Sequence, residues 1–405
     1  MLFDNSVLDR SIVMPAEDYP KRMLKVLHVG SGNLYGGIET VLATLAKYRN
    51  SCPQMEQHFA LCFTGRLTLE LATAKVPVYH LGKVKASRPW LLANARKRFR
   101  KVLENEKFDA VICHSSWPMA MFGKTIFSSK QPLVFWMHGV PSGRHWVDRW
   151  ARRNRPELMI CNSHYTARHG SNLYPGVASC VIRCPVEPSS VPNRSDVRQS
   201  IRRELGAPQE DIVIVQVSRM ERWKGHLLHL EALATLRDIP GWRCWIVGGA
   251  QRPGEANYLR EIILAAERLG IANRVQLLGQ REDVRRLLVA ADIFCQPNTG
   301  VEPFGVVFIE ALAGGLPVVT TAVGGPCEIV SEDCGLLTPP GDAPAVARAL
   351  QRLMIDPELR KSMGKAGRER ARELCAPETS LHELYDRLWS MTSPVKRLPK
   401  VLFQS

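Results

Sequence analysis

VEPFGVVFIEALAGGLPVVTTAVGG, residues 301–325, carries Glu302 and Glu310 at either end of seven mostly apolar residues, then a glycine-rich run. A charged carboxylate loses its hydration when buried, so two of them flanking PFGVVFI need partners. GVEPFG reads as a loop, and VVFIEALAGG reads as a helix stopped at Gly314 or Gly315. The peptide N–H groups of Phe304, Gly305, Val306 and Val307 then lie where a helix start leaves donors without intrahelical acceptors. At 3.6 residues per turn, Glu310 sits about two turns inward of Glu302. This geometry suits a ligand with hydroxyl groups. Glu302 would sit at the mouth, ready to accept from sugar hydroxyls, and a carboxylate at Glu310 can accept both hydroxyls of a ribose.

Working outward, apolar runs of strand length alternate with helical stretches. The first half reads LKVLHVG, HFALCF, VPVYHLG, DAVICHS, LVFWMHG and LMICNS. The second reads IVIVQVSR, CWIVGG, RVQLLG, DIFCQP, LPVVTTA and GLLTPPG. Near-continuous Val, Ile and Leu fit strands covered on both faces, as in parallel sheets built from βαβ units. CPVEPSSVPNRSDVRQSIRREL (184–205) has the Pro- and Ser-rich composition of a linker, with a boundary near Pro188 to Arg194. The expected fold is two Rossmann-like, doubly wound parallel-sheet α/β domains facing across a cleft. The divisions are an N-terminal arm (1–22), an acceptor domain (23–190), a donor domain (191–375), a helix returning to the N-terminal domain (376–392) and a flexible tail (393–405).

Two further elements suit a diphosphate. Gly36 and Gly37 follow a strand and open a helix near Ile38, where backbone N–H groups can approach a phosphate. The spacing is neither that of a dinucleotide-binding fingerprint nor that of a P-loop, which argues against a Rossmann dehydrogenase. Arg219 and Lys224, in VSRMERWKGH, stand just past the strand IVIVQVS. An Arg fork and a Lys point charge at that edge can grip a diphosphate.

Composition narrows the class. The 405 residues, with 45% apolar and 23% charged, are ordinary for a soluble protein of two or three domains. Eleven cysteines without a CxxC pair read as buried reduced thiols in a cytoplasmic protein. The net charge of +15 is uneven. Arg96, Lys97, Arg98 and Arg100 in NARKRFRK, and a second stretch RHWVDRWARRNR (144–155), mix cations with aromatic rings. They form a candidate patch for the anionic inner face of a membrane. No zinc finger, RNP motif or helix-turn-helix supports a nucleic-acid partner.

EPFGVVFIEALAGGLPVVTTAVGGPCEIV (302–330) resembles the signature of family 4 retaining glycosyltransferases of the GT-B fold. YGGIET, WMHG, CNSHYTA, VSRMERWKG and ADIFCQPN are similar to further motifs of that family, spanning 24 to about 391. One departure stands out: RCPVEP (183–188) replaces the family's usual Asn-Gly-Val-Asp turn. The resemblance implies roles by position. Gly36 and Gly37 approach the diphosphate and sugar of the donor. His138 lies by the donor sugar and acceptor hydroxyl, with His114 a weaker candidate of the same kind. Arg219 and Lys224 bind the diphosphate. Glu302 holds the transferred sugar, with backbone from Phe304 to Val306, and Glu310 holds the ribose. Backbone from Gly279 to Arg281 meets the base. The implied reaction moves a hexosyl group from a UDP- or GDP-sugar to an acceptor hydroxyl with retention, using no metal and no cofactor. Arg219, Lys224, Glu302 and His138 are the catalytic candidates, and Lys224→Ala or Arg219→Ala is expected to spare the fold. A sugar-nucleotide epimerase of the same shape and a non-catalytic nucleotide-sugar-binding protein are the alternatives.

Overall fold

The computed structural model describes residues 22–32, 34–188 and 191–392. Residues 1–21 of the proposed arm, the tail 393–405 and Ser189–Ser190 at the proposed boundary lie outside the described residues.

Seven strands form the first sheet: β1 (Leu24–Gly30), β2 (Met55–Leu61), β3 (Val78–His80), β4 (Ala110–His114), β5 (Leu133–Met137), β6 (Leu158–Cys161) and β7 (Ser179–Val181). Six form the second: β8 (Ile212–Val217), β9 (Trp242–Val247), β10 (Val275–Gly279), β11 (Ile293–Gln296), β12 (Val318–Thr321) and β13 (Gly335–Thr338). The orders are 3-2-1-4-5-6-7 and 10-9-8-11-12-13, and every pairing is parallel. Each sheet reverses strand order beside its first strand, the switch point where doubly wound folds open a crevice for ligands. β4 and β5 are buried at every residue, because helices cover both faces of the sheet. Twelve of these strands are the apolar runs read from the sequence. β7, with the short and partly exposed sequence SCV, was missed. It pairs only along β6, so it needs no two-sided apolar pattern.

The segment read as a charged linker is a working part of the second lobe. The helix Arg194–Glu204 puts Arg202 wholly inside the protein. Its guanidinium donates to the carbonyls of Ala290, Pro208, Gln209 and Asp211 and to the carboxylate of Asp292. Asp292 also accepts from Arg198 at 2.7 Å and from the Val213 amide at 2.7 Å, which ties this helix to the start of β8. The last helix, Pro377–Thr392, crosses back to the first lobe. Ser380 Oγ donates to the Arg183 carbonyl at 3.2 Å, and Tyr385 Oη donates to the Arg22 carbonyl at 2.9 Å.

All eleven cysteines are free, and only Cys327 is exposed. No helix among the described residues is long and apolar enough to cross a membrane.

Candidate active site

A cavity of about 1320 Å³ lies between the lobes at the carboxyl ends of both sheets. Gly36, Gly37 and His138 line it from the first lobe. Arg219, Lys224, Arg281, Glu302, Phe304, Gly305, Val306, Val307 and Glu310 line it from the second. Gly279 ends β10 just behind Gln280 and does not itself line the cavity.

The lobes touch around this space. Ser163 Oγ donates to the Pro303 carbonyl at 2.7 Å. The amides of His164 and Tyr165 donate to Glu328 at 3.0 and 2.7 Å. A Cβ on Gly37 would stand 3.7 Å from Val306 of the opposite lobe. Glu187, in the stretch that departs from the family pattern, pairs with Lys47 of the first lobe and Arg285 of the second. The replacement of the usual turn therefore leaves a carboxylate that clasps both lobes.

Glu302 is set by close backbone contact. It bridges to Gly324, whose φ is 76°, and a Cβ there would fall 2.2 Å from the Glu302 carbonyl oxygen. The Gly325 amide donates to the same carbonyl at 2.8 Å. The paired glycines of the sequence thus hold the loop that carries Glu302. The following helix runs Val306–Ala313, so Val306 and Val307, which line the cavity, carry the amides of its open first turn.

Both cations are paired within the protein. Lys224 Nζ lies 2.5 Å from Glu302 Oε2 and 3.8 Å from the centre of the Trp223 ring. Arg219 pairs with Glu255, and with Glu221 at 3.2 Å. Its Nε is buried without a partner among the described residues. The expectation that Glu302 waits unpaired for sugar hydroxyls is therefore corrected. An ammonium has three donors and a guanidinium five, so both side chains keep donors for an incoming anion. A second correction follows. Both Lys224 and Glu302 are largely buried, and removing the lysine strands a carboxylate. Lys224→Ala should therefore lower stability as well as turnover. Arg281 is held by Asp283 in two 2.8 Å bonds and by Glu204 at 2.8 Å, through its Nε and Nη2.

Among the described residues Glu310 has no ion pair. Burial pushes its carboxyl up to about 7, against the pull of the Arg285 and Arg66 charges. This sets a pH signature. In the folded protein the proton is held more tightly than in the unfolded chain, so this group favours folding in acid. That contribution is lost as pH rises through about 7. A diol donates hydrogen bonds and selects the carboxylate, so a ligand that sets a diol on Glu310 should show the opposite slope and bind about tenfold more tightly at pH 8 than at pH 6. Calorimetric titration checks this, and Glu310→Gln should flatten the profile.

His138 is half-buried, with Nε2 2.9 Å from His114 Nδ1. A smaller cavity of about 440 Å³ meets the first at Trp117 and His138. Several contributors were not picked out from the sequence. Glu255 and Glu221 hold Arg219, and Glu187 bridges the lobes. Tyr35 stacks under Arg66, 3.9 Å from its ring centre, and donates to Glu70 at 2.7 Å. Glu255, Glu187 and Tyr35 find their partners only across the fold, whereas Glu221 lies two residues from Arg219.

Two Rossmann-like lobes with cations and carboxylates converging between them define the GT-B class of sugar-transferring proteins. The family description "Glycosyl transferases group 1" matches residues 197–370, and "Glycosyltransferase Family 4" matches residues 35–190. The chain belongs to the family 4 glycosyltransferases. It is 36% identical over 246 residues to "D-inositol 3-phosphate glycosyltransferase" of Corynebacterium jeikeium, covering 57% of this chain and 58% of that one. It is 32% identical over 169 residues to "Lipopolysaccharide core biosynthesis glycosyltransferase LpsE" of Rhizobium meliloti, covering 42% and 47%. The matches thus span about half the length of these curated relatives. Among solved structures, Anabaena HepE in complex with UDP-glucose superposes with a TM-score of 0.79 at 25% identity, over 91% of this chain and all of that one. WaaG, a glycosyltransferase involved in lipopolysaccharide biosynthesis, shares the fold, with a TM-score of 0.67 at 17% identity over 90% of this chain and 99% of that one.

Proposed function

We propose that this chain transfers a hexosyl group, with retention, from a nucleotide-diphosphate sugar to an acceptor hydroxyl. The observation that carries the proposal is the convergence of Lys224, Arg219, Glu302 and Glu310 on one interlobe cavity. HepE, which shares this fold, is known in complex with UDP, with UDP and glucose, and with UDP-glucose, and this favours a UDP-hexose donor.

In this reading the ribose hydroxyls donate to Glu310, and backbone around Gln280 and Arg281 meets the base. The diphosphate lies against Lys224, Arg219 and the amides at the start of the helix Val306–Ala313. Glu302 gives up part of its bond to Lys224 and accepts from hydroxyls of the transferred sugar. The bond from the anomeric carbon to the β-phosphate oxygen breaks, and charge builds on that phosphate. Lys224 and Arg219 stabilise the charge more in the transition state than before it, which is the condition for raising kcat. The anomeric carbon becomes oxocarbenium-like. The acceptor oxygen bonds to it on the face the phosphate leaves, and its proton passes to the departing phosphate oxygen. No side-chain nucleophile is needed, and the two cations supply the charge that a metal would otherwise supply. The acceptor enters through the smaller cavity beside Trp117 and His138.

The test is a panel of UDP-, GDP- and ADP-sugars scored by melting shift and by transfer to added glycan acceptors. A raised Tm and transfer with a nucleotide sugar support the reading. Conversion of the donor sugar to an epimer without any acceptor would replace it.

The basic surface leads to a lipid-linked or membrane-proximal glycan as acceptor. Arg96 is not part of an open patch, which corrects the expectation. Its Nε donates to the Met121 carbonyl at 2.6 Å, and its guanidinium faces the Trp150 ring at 5.9 Å. It thereby brings the two basic stretches side by side. Arg98 donates to the Leu81 carbonyl at 3.4 Å. Lys97 and Arg100 are exposed, and so are Trp90 and Trp146. Anionic liposomes should retain the protein at low salt. Replacing Lys97 and Arg100 with alanine should weaken retention by about 1 kcal/mol each, as flotation assays would show.

A further inference from the structure

Three imidazoles stand in a row behind the cavity wall. His28 lies within β1, His114 ends β4 and His138 follows β5, and these strands are neighbours in the sheet. His28 Nδ1 is 2.9 Å from His114 Nε2, and His114 Nδ1 is 2.9 Å from His138 Nε2. His28 stacks on Phe59, while His114 and His138 both stack on Trp136. His28 and His114 are fully buried. At one end His28 Nε2 is buried with no partner among the described residues. At the other, His138 lines the cavity, and its Nδ1 bonds to nothing among the described residues.

A neutral imidazole has one N–H and one lone pair, so the row has two polarities. In the first, every N–H points away from His28. His28 Nδ1–H donates to His114, His114 Nδ1–H donates to His138, and His138 Nδ1–H is left for the cavity. The orphan at the closed end is then a lone pair. In the second polarity every bond reverses, and the orphan is a buried N–H. Orphaned buried N–H groups are rarer in folded proteins than under-satisfied acceptors, so the first polarity prevails. Burial also holds the rings neutral at pH 7. It brings His28 and His138 each down to about 3, and His114 is lowered further by its two imidazole neighbours. Because nothing beyond His28 Nε2 can take a proton, the row does not conduct one.

We propose that His28 and His114 are positioning residues whose closed end fixes His138 as the Nδ1–H tautomer, so that the cavity is offered a hydrogen-bond donor and never a lone pair. The proposal rests on the donor-sugar reading above and deepens it. The group met by His138 is an oxygen acceptor of the transferred sugar, a hydroxyl or ring oxygen. His138 is thereby excluded as the base for the acceptor hydroxyl, whose proton leaves with the phosphate.

The test is a long-range proton–nitrogen spectrum of the full chain labelled with ¹⁵N-histidine, with His138→Asn used to assign its signals. The expected result is His138 protonated at Nδ1 alone at pH 7.5. Protonation at Nε2, or at both nitrogens, would overturn the proposal. His28→Asp places an acceptor opposite His114 Nε2 and should reverse the row, moving the His138 proton to Nε2. His28→Phe leaves the end of the row without an acceptor and should keep the wild-type tautomer. The same tautomer in both folded variants would show that the row only packs, and the proposal fails. His28→Asp should also lower kcat about tenfold, the loss of one oriented hydrogen bond, while the UDP melting shift persists. Should the aspartate variant not fold, the wild-type spectrum decides alone. An absent UDP melting shift in wild type would instead count against the donor reading and leave the tautomer result standing.

Discussion

Replacing Lys224 with alanine should lower turnover by about 10²–10³-fold, the range seen when one preorganised donor to developing negative charge is removed. The effect should fall on kcat more than on KM, because the leaving phosphate gains its charge only as the sugar departs. The same change should lower Tm by several degrees. Glu302 is largely buried, and without the ammonium 2.5 Å away it must either stay charged without a partner or take up a proton. The double variant Lys224→Ala, Glu302→Gln separates the two roles. A neutral amide no longer needs the cation, so Tm should recover while turnover stays low. A transfer assay and a melting curve on the three proteins check this. Wild-type turnover in Lys224→Ala would remove the lysine from the chemistry.

The largest effect on stability should come from a residue far from the reaction. Arg202→Ala leaves Asp292 with one cation in place of two and takes the donor away from four carbonyls. Truncating one side of a buried, hydrogen-bonded charge pair costs about 3–5 kcal/mol. Chemical denaturation should show a loss of that size. The residual folded protein should bind UDP with unchanged affinity, since none of these groups lines the cavity. A loss below about 1 kcal/mol would mean that the helix Arg194–Glu204 does not depend on this anchor.

Arg202 also marks where sequence reading stops. In RSDVRQSIRREL the charges look like a solvated face, and only the approach of residues 208–211 and 290–292 reveals a buried site. The strands were legible because parallel sheets bury both faces, and twelve runs of Val, Ile and Leu record that constraint directly. β7 was illegible for the converse reason: three residues at a sheet edge carry no such record. Glu302 and Glu310 were legible as a pair because a carboxylate at each end of an apolar run has no local explanation. Their different circumstances were not legible. Glu302 meets Lys224 from 78 residues away, whereas Glu310 faces only the more distant charges of Arg66 and Arg285. The histidine row was hidden in the same way, since its bonds span 86 and 24 positions along the chain. Glycines were partly legible. The glycine-rich run ending at Gly324 and Gly325 was visible in the sequence, but its role in seating Glu302 needed the backbone contact itself.

The claim at the centre of this account is that the interlobe cavity binds a nucleoside diphosphate, with its ribose on Glu310 and its phosphates on Lys224 and Arg219. A crystal structure of the full chain with UDP tests it most directly. Both ribose hydroxyls should lie within hydrogen-bond distance of the Glu310 carboxylate, with the β-phosphate in contact with Lys224 Nζ. UDP seated outside this cavity, or inside it with the phosphates turned away from Lys224 and Arg219, would contradict it.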